Sequence, residues 1–478
     1  MTIQQLYDAY LHSSGICTDT RKECKDAVFV ALKGEQFDGN RFVPDALERG
    51  CRVAITERTD LPPDPRIWVV PSALEALQQL AHFHRMKQGT RILAITGSNG
   101  KTTTKELIAK VLERKFSLAY TRGNLNNHIG VPLTLLSLDG EEVAVVEMGA
   151  NHAGEIEALC EIAAPDEGMI TNVGKAHLEG FGSLKGVLNA KTEMYRYLAR
   201  RGGRALIDGS DSLLLERAGK IGVQTLVIGQ DGDIQVSGRI TGHSPYLQVE
   251  LEVEGTPIPL DTRLVGAFNL QNILLAAGVG LHFGISAGEI AEAIASYQPT
   301  NHRSQFMEGN RNRVIMDAYN ANPSSMRGEI EGLLAVGKPP MMVILGEMAE
   351  LGETSDEEHA GLLNWVMNLP IEQILLVGPT FQKLMDSHSR ERTESTSREI
   401  MESTSRERIE SPLAHKKKST FSKPKKNKGQ KGEPSARIAV FKDRKELEAH
   451  LASDPPEGYH ILVKGSRINE LEQILPLL

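Results

Sequence analysis

Cysteine is scarce in this sequence, which contains only Cys17, Cys24, Cys51 and Cys160. No two of them are spaced C-x-x-C, which argues against a zinc site or a disulfide framework. The opening stretch, MTIQQLYDAYLHSSG, has no basic region followed by an apolar one, so no secretory signal is expected. No uninterrupted apolar run reaches the ~18 residues that a membrane span needs. Charge of one sign is not in large excess either. A formal net charge of −8 over 478 residues gives no reason to expect nucleic-acid or membrane binding as the main role. Together these absences favour the reducing cytoplasm.

What is present is the composition of a soluble globular chain, with 40% hydrophobic and 24% charged residues. At about 100–200 residues per domain, the length predicts two to four domains. Residues 1–89 alternate short apolar strands, such as Ala27–Leu32 and Arg52–Ile55, with helical stretches such as Ser72–Lys87, and predict a small α/β domain. Residues 90–300 begin with a buried strand, Arg91–Thr96, then a glycine turn and a helix over Thr102–Lys115. Val143–Met148 and Gly168–Val173 are further buried strands followed by helices, the alternation of a mainly parallel sheet. Residues 224–265 carry short strands with Gly and Pro turns and predict an antiparallel appendage. A helix over Asn269–Phe283 closes the unit. Residues 301–478 place strands at Val314–Asp317, Met341–Leu345, Gln373–Val377 and His460–Val463, a doubly wound α/β pattern.

Residues 387–435 break that pattern. An imperfect eight-residue repeat starting at Ser389 (SRERTEST, SREIMEST, SRERIESP) leads into a stretch with Lys416, Lys417, Lys418, Lys423, Lys425, Lys426, Lys428 and Lys431. So few apolar residues cannot offset the entropy of ordering, and a mobile insertion is expected. It is either a basic contact for an acidic partner or a tolerated surface insertion.

The strongest chemical signal is Thr96-Gly97-Ser98-Asn99-Gly100-Lys101-Thr102-Thr103, set between a strand and a helix. Gly97 and Gly100 permit backbone angles that let successive N–H groups converge on phosphate oxygens, and the helix adds its positive end. Lys101 suits the β- and γ-phosphates and Thr102 a hydroxyl contact to Mg²⁺. Ile95 stands where the general P-loop pattern has its first glycine, so this is a shortened G-x-x-G-K-T form. A chance Gly-Lys-Thr turn is the alternative. Glu147 ends the VAVVEM strand, where a carboxylate points into the ligand crevice and can serve as a hard oxygen ligand for Mg²⁺.

The stretch ITGSNGKTTTKE, residues 95–106, resembles the Mur ligase family, which also includes folylpolyglutamate synthases. The resemblance implies three domains: a nucleotide-substrate domain, a central P-loop-type ATPase domain and a carboxy-terminal α/β domain. It implies ATP and Mg²⁺, two ions at most, as cofactors. Asn172-Val173-Gly174-Lys175-Ala176-His177 resembles the family's N-x-G-x-A-H motif and implies His177 as a ligand of a second metal ion. The family's matching lysine can be carbamylated, which makes Lys191 a candidate anionic ligand; a surface lysine is the alternative. Gly266–Asn272 resembles G-x-x-N-x-x-N, implying that Asn269 and Asn272 contact adenine or phosphates, with a helix cap as the alternative for Asn269. Arg303, in Asn301-His302-Arg303-Ser304-Gln305, can neutralise the transferring phosphoryl group, and Asp317 suits a ribose hydroxyl.

Three further stretches indicate a branch of the family: DAYNANPSSM from Asp317, GEMAELG from Gly346 and GNLNNHIGVPLTLL from Gly123. They are similar to those of the branch that joins D-alanyl-D-alanine to UDP-N-acetylmuramoyl-tripeptide. The tetrapeptide D-N-P-R of the diaminopimelate-adding branch is absent. TDTR from Thr18, FVALKG from Phe29 and FDGNRF from Phe37 resemble the uridine-nucleotide domain, with Asn40 where histidine is usual. The implied substrate contacts are Asp19, Thr20, Arg21, Asp38, Asn126, Asn127, Tyr319 and Asn322. The resemblance also implies a cytoplasmic monomer. Another amino-acid ligase of the family, or a protein that uses ATP as a switch, are the alternatives. If the insertion is only tolerated, deleting residues 387–435 leaves the initial rate of ATP-dependent turnover intact; loss of that rate shows that the lysine-rich stretch contributes.

Overall fold

The structure, a computed structural model, describes residues 2–34, 37–243, 245–300, 303–387 and 436–478. Asn301, His302 and nearly all of the insertion lie outside the described residues. The chain divides into two compact units, residues 1–299 and 300–478.

The first unit holds two sheets. One joins β1 (Ile16–Cys17), β2 (Val28–Val30), β3 (Val53–Thr56) and β4 (Ile67–Val69) in that order, all parallel. The helix Ala73–Gln88 follows. The Ser72 side chain caps its start and Gly89, with φ 70°, ends it. This helix fastens the small sheet to the larger one: His84 Nε2 lies 2.8 Å from the Leu138 carbonyl, and Arg85 pairs with Asp166 at 2.9 Å. The boundary expected at residue 90 therefore separates two sheets within one compact unit.

The cysteine expectation needs correcting, because Cys17 and Cys24 are joined by a disulfide. Their Cα atoms lie 5.6 Å apart as the chain turns back after β1. That separation falls within disulfide range, and only the fold reveals it. Cys51 and Cys160 are buried free thiols.

The second sheet contains β5 (Arg91–Thr96), β6 (Leu118–Tyr120), β7 (Val143–Glu147), β8 (Glu167–Ile170), β9 (Arg204–Asp208), β10 (Gln224–Gly229), β11 (Ile234–His243), β12 (Leu247–Val253) and β13 (Thr256–Asp261). Its order is β13-β12-β11-β10-β9-β8-β5-β7-β6. From β6 to β10 every pairing is parallel, whereas β11, β12 and β13 pair antiparallel. The appendage thus starts one strand later than expected, since β10 extends the parallel sheet. β5 and β7 are buried along nearly their whole length because helices cover both faces of a parallel sheet. Leu107, Ile108 and Val111 of the helix Lys101–Leu112 pack with Ile273, Ala276 and Ala277 of the helix Asn269–His282 in this core.

The second unit contains β14 (Gln305–Glu308), β15 (Arg313–Asp317), β16 (Met341–Gly346), β17 (Gln373–Val377), β18 (Arg437–Phe441) and β19 (His460–Lys464). The order is β14-β15-β19-β16-β17-β18, parallel except for β14. Because β19 lies between β15 and β16, the loops leaving these strands meet at one edge, where Ser466 N donates to Glu347 O at 3.1 Å. Among the described residues, no helix is long and apolar enough to cross a membrane.

Candidate active site

The glycine-rich loop leaves β5 and enters the helix Lys101–Leu112. Gly97 has φ 148° and Gly100 φ 76°, angles that favour glycine. Space also requires glycine: a Cβ on Gly97 would overlap Thr171 Oγ1, and one on Gly100 would come within 2.5 Å of Asn272 Oδ1. The segment after β8 closes on this loop. Asn99 N donates to Asn172 Oδ1 at 3.0 Å, Thr171 Oγ1 to Asn99 O at 2.6 Å, and Gly174 N to Ser98 Oγ at 2.9 Å. Lys101 Nζ donates to the Gly97 and Ser98 carbonyls at 2.6 and 3.2 Å, folded back on its own loop. Thr103 is half-buried in the helix's first turn, whose N–H groups have no carbonyl partner within the helix. Asn269 and Asn272 lie behind the loop with their amides bonded to protein. Asn269 Nδ2 donates to Val265 O, Asn272 Nδ2 donates to Asn269 Oδ1, and Asn272 Oδ1 accepts from Thr104.

Thr102 and Glu147 come together as expected. The Thr102 hydroxyl lies 3.0 Å from Glu147 Oε2, and Asn126 Nδ2 donates to Glu147 Oε1 at 2.8 Å. Thr102 and Glu147 both present oxygen, which suits Mg²⁺ completed by phosphate and water. Among the described residues no three His, Cys, Asp or Glu side chains cluster as a metal site. Asn126 is thereby engaged at this carboxylate, while Asn127 Oδ1 accepts from Ile129 N and Gly130 N at 3.1 and 2.9 Å, just before the helix Gly130–Leu135.

His177 and Lys191 both lie near the Phe181 ring. The His177 ring centroid lies 6.4 Å from that of Phe181, and Lys191 Nζ lies 5.4 Å from the same centroid. His177 has φ 52°, and the short helix Leu178–Phe181 starts there. Lys191 is fully buried and has one long hydrogen bond, 3.4 Å to Ala150 O. Burial, aided by the Lys101 charge, pulls its ammonium down to about 7. Carbamylation requires the neutral amine that this shift provides.

In the second unit, Arg303 Cζ stacks 3.8 Å from the Tyr319 ring centroid, and Arg467 Cζ lies 5.7 Å from it. Asp317 accepts a hydrogen bond from the buried Lys464, its register partner on β19. Asn322 caps the helix Pro323–Val336, its Oδ1 accepting from Ser325 N at 2.9 Å. Near β1, Asp19 and Arg21 pair at 2.8 Å, and the Arg21 hydrogen bond holds Asp19 down at about 2. Thr20 is buried. Asp38 accepts from the amide of the buried Asn40, which in turn accepts from Thr56 Oγ1 at 2.7 Å.

Family profiles match almost the whole chain. The Mur ligase family catalytic domain covers residues 12–85, the Mur ligase middle domain 95–280, and the Mur ligase glutamate ligase domain 302–467. The chain belongs to the Mur ligase family. A UDP-N-acetylmuramoyl-tripeptide--D-alanyl-D-alanine ligase of Bacillus subtilis is 36% identical over 352 residues, 72% of this chain and 76% of that protein. Its namesake in Escherichia coli is 33% identical over 384 residues, 78% and 83% of the two chains. Among solved structures, MurF from Acinetobacter baumannii aligns with a TM-score of 0.79 at 29% identity, covering 99% of this chain and 98% of that one. MurF ligase from Thermotoga maritima in complex with ADP aligns at 0.78 with 26% identity, covering 98% and 97%.

This Mur ligase also has residues at its site that the motifs alone did not reveal. Lys105 is fully buried, donates to Thr121 O at 2.7 Å and lies 3.8 Å from Glu147 Oε2. Glu193 accepts from Gly154 N at 2.7 Å and Glu157 N at 3.1 Å, fastening the helix Glu155–Ala163 beside Lys191. Lys105 is one of several charges in the helix KTTTKELIAKVL, so the sequence did not single it out, and Glu193 and Lys464 gave no signal either. If Lys191 acts as an anion, Lys191→Ala lowers kcat by at least about a hundredfold, and short-chain carboxylic acids restore part of it. A variant that acetate does not rescue argues for a structural lysine.

Proposed function

We infer that this Mur ligase joins D-alanyl-D-alanine to UDP-N-acetylmuramoyl-tripeptide with ATP, making the pentapeptide precursor of the bacterial cell wall. The observation that carries this reading is the phosphate loop, held against Thr102 and Glu147, in a chain whose curated relatives bear that enzyme's name. The complex of the Thermotoga maritima relative with ADP supports ATP as the phosphoryl donor. The reading includes a cytoplasmic location, where ATP is available, and a monomeric chain.

The chemistry starts from an unreactive group. A carboxylate is a poor acylating agent because oxide is a poor leaving group. Transfer of the γ-phosphoryl group turns the tripeptide carboxylate into an acyl phosphate. The dipeptide amine then attacks the carbonyl, and phosphate leaves. Negative charge develops on the transferring group, and the loop N–H groups, Lys101 and Arg303 are the donors suited to meet it. To reach the phosphates, Lys101 exchanges its hydrogen bonds to Gly97 O and Ser98 O for phosphate oxygens. Asp317 is placed in the reading at the ribose. When bound, Mg²⁺ neutralises phosphate charge; Thr102 and Glu147 fit as its protein ligands, and His177 with a carbamylated Lys191 as those of a second ion. Asp19, Thr20, Arg21 and Asp38 are assigned to the nucleotide end of the peptide substrate.

An ADP-release assay tests this reading. ADP forms only when UDP-N-acetylmuramoyl-tripeptide and D-alanyl-D-alanine are both present, and single amino acids do not replace the dipeptide. Lys101→Ala lowers the rate by roughly a hundred- to a thousandfold. ADP release independent of either cosubstrate points instead to a nucleotide-driven switch.

A further inference from the structure

Four glutamates are buried among the described residues: Glu147, Glu167, Glu193 and Glu329. The first three have partners on both carboxylate oxygens. Glu329, on the helix Pro323–Val336, differs. Its Oε1 accepts from the Ser304 hydroxyl; its Oε2 accepts from no donor among the described residues, and in the protonated form the carboxyl hydrogen-bonds to Asp317. Two charged groups face it, Asp317 from the end of β15 and Lys464 from the end of β19. Lys464 already donates to Asp317 and to Asn320 O. A second carboxylate would therefore be buried with one shared cation, a costly arrangement. Burial first and the Asp317 charge second push the Glu329 carboxyl up to about 8, so it carries a proton at neutral pH.

Ser304, which this acid holds, is itself unusual. It is buried and has φ 49°, a left-handed conformation that serine rarely adopts. Such a conformation persists only where surrounding contacts enforce it. Its neighbour in sequence is Arg303, stacked over Tyr319 and without an ion-pair partner among the described residues. We propose that Glu329 and Ser304 form a positioning pair for Arg303, fixing the left-handed turn that sets its guanidinium over Tyr319. The proposal rests on the reading of Arg303 as the arginine that meets the transferring phosphoryl group. Glu329 touches no reacting atom in this scheme and acts through the serine.

Steady-state kinetics of the full chain test the pair. Ser304→Ala and Glu329→Ala each lower kcat by roughly ten- to a hundredfold, because misplacing a group that acts in the transition state costs rate. KM for the nucleotide peptide changes less than about twofold. Glu329→Gln keeps an acceptor for Ser304 and stays neutral, so it restores most of the rate. The double variant Ser304→Ala/Glu329→Ala is no slower than either single one, the signature of one shared interaction. Wild-type kcat in Ser304→Ala, while Arg303→Ala is slow, overturns the positioning pair but leaves the role of Arg303 standing. Multiplying losses in the double variant overturn it too, as does a Glu329→Gln enzyme as slow as Glu329→Ala. Wild-type kcat in Arg303→Ala overturns the reading of Arg303 and the pair with it.

Discussion

Gly97 leaves no room for a side chain, and much of the nucleotide site depends on that contact. With hydrogen in place of Cβ, the loop after β5 can lie directly on Thr171, at the end of β8. Once the two segments touch, their polar groups satisfy one another: Ser98 N donates to Asn172 O, Asn99 N to the Asn172 side chain, and Gly174 N to Ser98 Oγ. A loop that would otherwise be mobile becomes part of a closed hydrogen-bond network. His177 lies only three residues beyond Gly174, so the phosphate loop and the second candidate metal ligand are parts of one construction. Asn272 supports it from behind, through Thr104 and the space beside Gly100.

Among the described residues three lysines are fully buried, and their surroundings differ. Lys105 has the Thr121 carbonyl and lies near Glu147 and Glu106. Lys464 has Asp317 and the Asn320 carbonyl. Both are compensated charges, and each fastens a neighbouring loop. Lys191 has no carboxylate within 4 Å among the described residues and only a long bond to Ala150 O. Removing a cation from water without a close counter-ion favours the neutral amine. The same burial that would be a structural burden elsewhere suits the carbamylation proposed for Lys191.

The fold was largely legible because its strands are apolar runs bounded by turn residues. β5 and β17 occupy the expected residues, and β7, β15, β16 and β19 differ by a residue or so. β10 was placed in the antiparallel appendage but pairs parallel with both β9 and β11, since periodicity does not say whether a short strand pairs parallel or antiparallel. The disulfide was missed because two cysteines seven residues apart meet only when the chain turns back after β1. At the site, glycines, Lys101, Thr102 and Glu147 were readable because loop chemistry restricts residue type at each position. Several amides proved harder. Asn127, Asn269 and Asn322 are bonded to backbone or to other side chains, work that asparagine performs at many helix ends. Lys105, Glu193 and Glu329 escaped attention because what they hold is distant in sequence.

The position of β19 also governs how the second unit can be assembled. β15 and β16 do not pair with each other; each pairs with β19, which follows both by more than a hundred residues. Before residues 460–464 have been made, neither half of this sheet therefore has the strand that joins it to the other. Residues 460–464 then enter between them as a keystone, joining both edges and bringing Lys464 to Asp317 in the same event. Completing this sheet and joining Lys464 to Asp317 thus both wait for β19.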